Sequence, residues 1–324
     1  MDEASESDAM PPSPISGSWR RIGAFLVDGV VLGLVGSVMG YFWSDEFAGM
    51  GTDARVFGFV PAWLYFGLLN SQLTAGQTIG KRFLGIRVVD RSGEPIAVHL
   101  SLVRFLPLGL PWFLNGLWLS VSELQSWVVN VLSFVILGIG GSLIYLFIFN
   151  RNTRQSIHDL LVGSFVVRAE SSGVLSPPPV WRLHLVACAF LLVVAVVAPI
   201  FTKQLVDTGP FPALLQVQER VNSLPWVIHA QPTAGTQTVV SVKEGSSTTT
   251  YFSIVAYITS DDINSELRAA EVIATAIESH PKLQENEVLQ VTLVYGYDIG
   301  IASGWQQRSH SDTASNWIVR AAAL

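Results

Sequence analysis

Three groups of charged residues in this chain of 324 residues have types and spacings suited to chemistry. Asp28 lies roughly one and a half helical turns inside an apolar run, 22–43, with Arg21 seven residues before it. Seven residues are two turns, so both side chains share a helix face. They lie about 10 Å apart along the axis, so each needs a partner of its own. Gly76-x-x-x-Gly80-Lys81-Arg82 has the look of a phosphate loop. His158 and Asp159 follow a basic turn at Arg151 and Arg154.

The phosphate reading fails on spacing. A P-loop needs four residues between its glycines and a Ser or Thr after the lysine. Here three residues intervene and Arg82 follows Lys81. Gly76 and Gly80 instead suit a tight turn, and Lys81 and Arg82 suit a basic membrane surface. His158 has the residue type of a pH switch, but a surface histidine in a structural turn is the favoured reading. The six histidines show no metal-ligand spacing, and no cofactor is implied. Ser309, His310 and Asp312 are too close in sequence to form a catalytic triad by themselves. No motif supports an enzyme or a nucleic-acid partner.

Composition tells what must position these groups. Half of the residues are hydrophobic, 14% are charged and the mean hydropathy is +0.43. Soluble domains carry about 25% charged residues. The one cysteine, Cys188, excludes an intrachain disulfide. Five apolar runs read as transmembrane helices, over 22–43, 56–73, 105–122, 127–150 and 183–201. Pro107 and Pro111 make the third a candidate for a broken or re-entrant segment. With the N-terminus cytoplasmic, 11 Lys and Arg fall on the inside and one, Arg55, in a short outside loop. Five crossings then put residues 202–324 outside, whereas four crossings, with the third run re-entrant, put them in the cytoplasm.

In such a helix an ionisable residue is costly and marks either function or close helix packing. The small residues Gly29, Gly33, Gly36 and Gly40 fit a packing face on the same helix. Asp159 is placed to meet Arg21, or Lys81 and Arg82. The stretches 84–91 and 162–169 echo each other with Gly and Val-Val, and predict two strands of a small cytoplasmic sheet. Residues 91–95 read as a turn and 96–100 as the returning strand of a hairpin.

Arg21-x-x-Ala24-x-x-x-Asp28, the Gly76 to Val89 stretch and His158-Asp159-Leu160-Leu161-x-Gly163-x-x-Val166-Val167 together resemble the RDD family of membrane proteins. The resemblance covers residues 15–170. The Arg and two Asp of the family name match Arg21, Asp28 and Asp159. It implies a multi-pass protein of the bacterial inner membrane, with transport often suggested as its role. A transporter this small, with few helices and one intramembrane carboxylate, would work as a homo-oligomer.

The rest of the chain flanks that region. Residues 1–18 are acidic and rich in Ser and Pro, with no basic leader, and read as a disordered tail. Residues 171–182 read as a Pro-rich linker. Residues 202–324 read as a soluble α+β module; the alternative to transport is a membrane-anchored interaction or sensory protein whose C-terminal domain binds a protein partner. Its expected elements are a helix over 211–224, strands over 236–243 and 249–258, a helix over 260–281 capped by Ser260 or Asp261, and a strand over 287–301. An antiparallel sheet is expected. Residues 295–300 and 304–311, polar and aromatic at a strand end, are its candidate binding residues.

Overall fold

The computed structural model describes residues 14–124, 126–206, 211–241, 245–285 and 288–322. They form two compact units. One holds the residues up to Val31, Trp63–Gly109 and Ile139–Phe190. The other holds Leu32–Ala62, Leu110–Gly138 and the chain from Leu191 onward. The division runs through long helices, between residues 31 and 32, 109 and 110, and 190 and 191.

Twelve α-helices are described. They are α1 (Ser18–Met50), α2 (Arg55–Leu69), α3 (Ile79–Phe83), α4 (Val98–Leu114), α5 (Val121–Leu124), α6 (Val128–Ser133), α7 (Gly140–Phe149), α8 (Ile157–Val162), α9 (Arg182–Val206), α10 (Phe211–Asn222), α11 (Glu266–Ser279) and α12 (Ala314–Ala321). A π-helical turn, Phe134–Ile139, joins α6 to α7. Among the described residues three helical stretches are long and apolar enough to cross a membrane: Ser18–Leu69, Val128–Phe149 and Arg182–Phe201. Val98–Leu114 is apolar but shorter.

Helix α1 shows why the polar residues point where they do. Ala24, Asp28, Leu32, Gly36 and Gly40 are buried at four-residue spacing. Leu26, Val30, Leu34 and Val38, two positions on, are exposed. An exposed aliphatic stripe is what a lipid-facing helix presents. Gly36 and Gly40 belong to the buried stripe as expected, but Gly29 is exposed with open space around it.

Two expectations fail in this region. The third apolar run is not a helix over 105–122. The helix is α4, it starts at Val98, and it passes through Pro107 and Pro111 before ending ahead of Gly116, whose φ is +83°. Apolar surroundings tolerate such prolines where neighbouring groups take up the freed carbonyls. Residues 98–100, expected in a returning strand, are therefore helical.

The two Val-Val strands do pair. β1 (Ile86–Val89) and β2 (Phe165–Arg168) are antiparallel, with Val88 opposite Val166. Residues expected in the disordered tail also join them. Ile15 bridges Val167, the Ser16 amide donates to Val166 O at 2.9 Å, and the Arg168 amide donates to Pro14 O at 3.0 Å. Residues 1–13 lie outside the described residues. From the linker, Leu175 packs on Val89, Phe165 and Val167. The turn at 91–95 is present, where Asp90 Oδ1 accepts from the amides of Ser92 and Glu94.

The C-terminal stretch has its own core. Four strands run in the order β3 (Val227–Ser241), β4 (Gly245–Ile258), β5 (Val288–Asp298), β6 (Ser303–Asp312). Alternate residues Phe252, Ile254, Ala256 and Ile258 of β4 face inward, as period-2 burial requires. With Leu289, Val291 and Leu293 of β5 they meet Val217 and Val221 of α10, Ile273 and Ala276 of α11 and Trp317 of α12. The sheet is mixed, because β4 and β5 are parallel. The expected helix is present as α11, and it crosses between these strands and makes parallel pairing possible, which the expected antiparallel sheet did not allow for. Helix α11 is capped by Ser265, whose side chain accepts from the Arg268 amide, and not by Ser260 or Asp261. β3 begins at Val227, nine residues before the expected strand. The turn expected between these strands falls partly on 242–244, outside the described residues.

Candidate functional site

The charged residues converge in the first unit, and each arrives on a different element. Arg21 and Asp28 lie on α1, Tyr65 on α2 with Asn70 just beyond it, Lys81 on α3, Arg104 on α4, and His158 and Asp159 in the first turn of α8.

Asp28 is fully buried and held by three donors. Tyr65 Oη donates to Oδ1 at 2.7 Å, Thr78 Oγ1 to Oδ2 at 2.6 Å, and the Gly80 amide to Oδ1 at 2.7 Å. Thr78 is also the N-cap of α3, accepting from the Lys81 amide at 3.2 Å. Glycine is needed at 80. A Cβ there would overlap the carbonyl oxygen of Ala24 and stand 2.9 Å from Asp28 Oδ1. Gly80 thus brings α3 against α1. Gly76, with φ +75°, accepts from the Val88 amide at 2.9 Å and ties the turn to β1.

Asp159 is the second centre, also fully buried. Its backbone position is set by a capping box with Ser156 at the start of α8. Arg104 donates to Oδ1 from Nε at 2.9 Å and from Nη2 at 2.6 Å, and Ser164 Oγ adds a bond at 3.0 Å. Arg21 Nη1 stands 3.6 Å from Oδ2 and His158 Nε2 3.5 Å. Arg21 also donates to the carbonyl oxygens of Arg154 and, at 3.2 Å, Val166. So Arg21 and Asp28 do not pair, as their spacing predicts, and Asp159 meets Arg21 but not Lys81 or Arg82. Arg82 is exposed.

The two centres border one cavity of about 280 Å³. Its polar lining includes Arg21, Asp28, Asn70, Lys81, Arg104 and His158. Lys81 Nζ lies 5.9 Å from the Phe66 ring centre. Among the described residues Lys81 has no ion pair within 4 Å. Arg21 Nε, Asn70 Oδ1 and His158 Nδ1 are buried with no hydrogen-bond partner.

Burial dominates the proton affinities here. Burial, reinforced by Arg104, lowers the Lys81 ammonium to about 7. Burial lowers the His158 imidazole to about 4, although Asp159 pulls the other way. Burial alone would raise the Asp159 carboxyl. The charges of Arg104, His158 and Arg21 outweigh it and hold the group well below the usual carboxylate range.

The geometry unites the charged motifs that carried the family resemblance. Residues 15–163 match the RDD family. Over 155 residues the chain is 26% identical to "Uncharacterized protein YckC" of Bacillus subtilis (strain 168), which covers 48% of this chain and 85% of that protein. No solved structure matches. The matched region fits a membrane protein; in it Arg21 and Asp28 line one cavity, and Asp159 pairs with Arg21 and Arg104 of that lining.

Sequence reading missed Arg104, Tyr65 and Thr78. Arg104 had a signal, since it is the last charge before an apolar run. Tyr65 and Thr78 had none, because their partner Asp28 is tens of residues away.

In the second unit the residues flagged at 295–300 and 304–311 make separate contacts. Arg55 Nη2 meets Asp298 Oδ2 at 2.5 Å, and Tyr295 Oη donates to Asp45 Oδ1 at 2.5 Å. Trp118 stacks on His229 at 4.9 Å and lies 4.4 Å from Tyr257. Ser309 Oγ pairs with Thr292, His310 Nε2 with the Ile263 carbonyl, and Asp312 with Arg320. These three residues have different partners and do not form a relay.

Proposed function

We propose that the RDD region moves an ion or small solute across the bacterial inner membrane, by itself or as part of a transport assembly. One observation carries this reading. Arg21, Asp28, Lys81, Arg104 and His158 line a single cavity, with Asp28 inside a helical stretch apolar enough to cross a membrane and Arg104 inside the shorter apolar helix α4. Ionisable groups inside such helices are costly, and lining a pathway is one of the roles that justify them. The 11-to-1 distribution of Lys and Arg supports a cytoplasmic N-terminus and an extracytoplasmic residue 202–324 segment. Maleimide labelling of cysteines introduced at 171 and 304 in intact cells tests the sidedness.

The test of transport is flux into proteoliposomes holding the full chain. Loss of flux on Arg104→Gln or Lys81→Gln, in protein that remains folded, supports the reading. Wild-type flux in both variants, and in Asp28→Asn, counts against it.

A second reading has its own support. Residues 211–322 have an independent core, and β6 presents Trp305, Gln306, Gln307 and Arg308 to the surface. That suits a membrane-anchored module that binds a protein partner. Removing residues 202–324 separates the readings: flux that survives assigns transport to the membrane region.

A further inference from the structure

The cavity has an imbalance that its own side chains do not settle. Three cations, Arg21, Lys81 and Arg104, line it; the carboxylates that offset them are Asp28, in the lining, and Asp159, which is outside the lining and paired with Arg104 and Arg21. With Lys81 protonated the surplus is one positive charge. The carboxylates are already committed. Asp28 accepts from three neutral donors, and Asp159 from Arg104 and Ser164 with Arg21 close by. The open cationic valences are Lys81 Nζ, without an ion pair among the described residues, and Arg21 Nε, without a hydrogen-bond partner; Asn70 Oδ1 and Nδ1 of the neutral His158 imidazole are the unpartnered acceptors beside them. An unpaired buried cation is costly, and a bound anion would relieve it.

Apart from Asn70 and Ser101, the remainder of the lining is hydrocarbon. Ile22, Phe25, Leu108, Leu143 and Phe147 contribute most of it. Phe25 and Leu108 each lie four residues, about one turn, beyond Arg21 and Arg104 on the same helices. The cationic end therefore continues directly into an apolar one. Inorganic phosphate or chloride would leave that apolar part without a ligand. A cationic or neutral amphiphile would leave the charge surplus unmet.

We propose that this cavity binds an amphiphilic monoanion, with a carboxylate or phosphate head against Lys81 and Arg21 and a hydrocarbon body against Phe25, Leu108 and Phe147. It rests on reading the cavity as the working site. The two sources of such a ligand are an anionic phospholipid of the bilayer and an organic anion entering from water.

The experiment uses the full chain in a neutral detergent and measures saturable binding by calorimetry. Probes are oleate and dodecyl phosphate, with acetate, inorganic phosphate and dodecyltrimethylammonium as comparisons. We expect the amphiphilic anions to bind at one site per chain, at least tenfold more tightly than the three comparisons. Lys81→Gln should weaken them at least tenfold, Lys81→Arg should restore most of the affinity, and exposed Arg82→Gln should leave it unchanged. Phe25→Ala should weaken oleate and leave acetate unaffected. Equal binding of the cationic amphiphile, or wild-type affinity in both Lys81→Gln and Phe25→Ala, overturns the proposal. Nanodiscs with and without phosphatidylglycerol separate the sources. Competition by phosphatidylglycerol assigns the site to a lipid, and its absence assigns it to an organic anion. Anion binding without flux in proteoliposomes would end the transport reading and leave this inference standing. Flux without anion binding would do the reverse.

Discussion

Arg104 meets Asp159 across 55 residues of sequence with two nitrogens on one oxygen, Nε at 2.9 Å and Nη2 at 2.6 Å from Oδ1. Both residues are buried, so the pair is largely desolvated. Removing one partner of such a pair leaves a charge uncompensated, at about 3–5 kcal/mol. Arg104→Met should destabilise the solubilised protein by about that amount. Arg104→Lys should not rescue it, because a lysine lacks the fork that reaches Asp159 and Ser164 together. The double variant Arg104→Met, Asp159→Leu should recover much of the loss. Chemical unfolding of the four proteins checks this, and additive losses in the double variant would contradict it.

Gly80→Ala should lower stability by about 3 kcal/mol. The added Cβ meets the Ala24 carbonyl and displaces an amide bond to a carboxylate, a loss of roughly 1.5–3 kcal/mol alone. Gly85→Ala is the comparison. Unlike helical Gly80 it has a positive φ, +63°, and it has open space around it. It should cost only the backbone strain, about 1 kcal/mol. Equal effects at 80 and 85 would show that the approach of α3 to α1 is not tight.

The buried histidine gives stability a pH dependence. His158 is faced by Asp159 beside it, Arg21 from α1, Lys81 from α3 and Arg104 from α4. Its folded value, about 4, lies below the ordinary 6.5, so the unfolded chain binds the proton more readily. Stability therefore rises with pH between about 4 and 6.5, and is lost as pH falls through that window. His229, lowered to about 4 by burial, adds a slope of the same sign. Thermal midpoints from pH 7 to 4.5 should fall, and His158→Gln should roughly halve the fall. An unchanged slope in His158→Gln would assign the dependence elsewhere.

Trp317 is 1% exposed and its indole donates to the Leu289 carbonyl at 3.0 Å, joining α12 to β5. Trp317→Ala should cost about 3–5 kcal/mol. Hydrogen exchange should rise in β4, β5 and α11, which share its core, while β1 and β2 stay protected.

The polar anchors Arg21, Asp28 and Asp159 were legible because charge stands out against an apolar background. Their partners were not, since Tyr65 and Thr78 are ordinary residues at their own positions. Residues 96–100 read as a strand because five residues cannot separate period 2 from period 3.6. β6 escaped notice for a different reason. Its residues are exposed along nearly its whole length, so no alternation marks it. The parallel pairing of β4 and β5 was recoverable, since a strand, a helix and a strand in succession favour it.

The pairing of residues 14–16 with β2 bears on how the protein can be handled. Val166 O accepts from both the Ser16 amide and Arg21 Nη2. Trimming the acidic start of the chain back to residue 17 would strip that partner strand and leave β2 with an open edge, the usual template for chain-to-chain association. A truncation ending before Pro14 keeps the edge covered. The choice of first residue in an expression design thus decides whether the sheet is sealed or sticky.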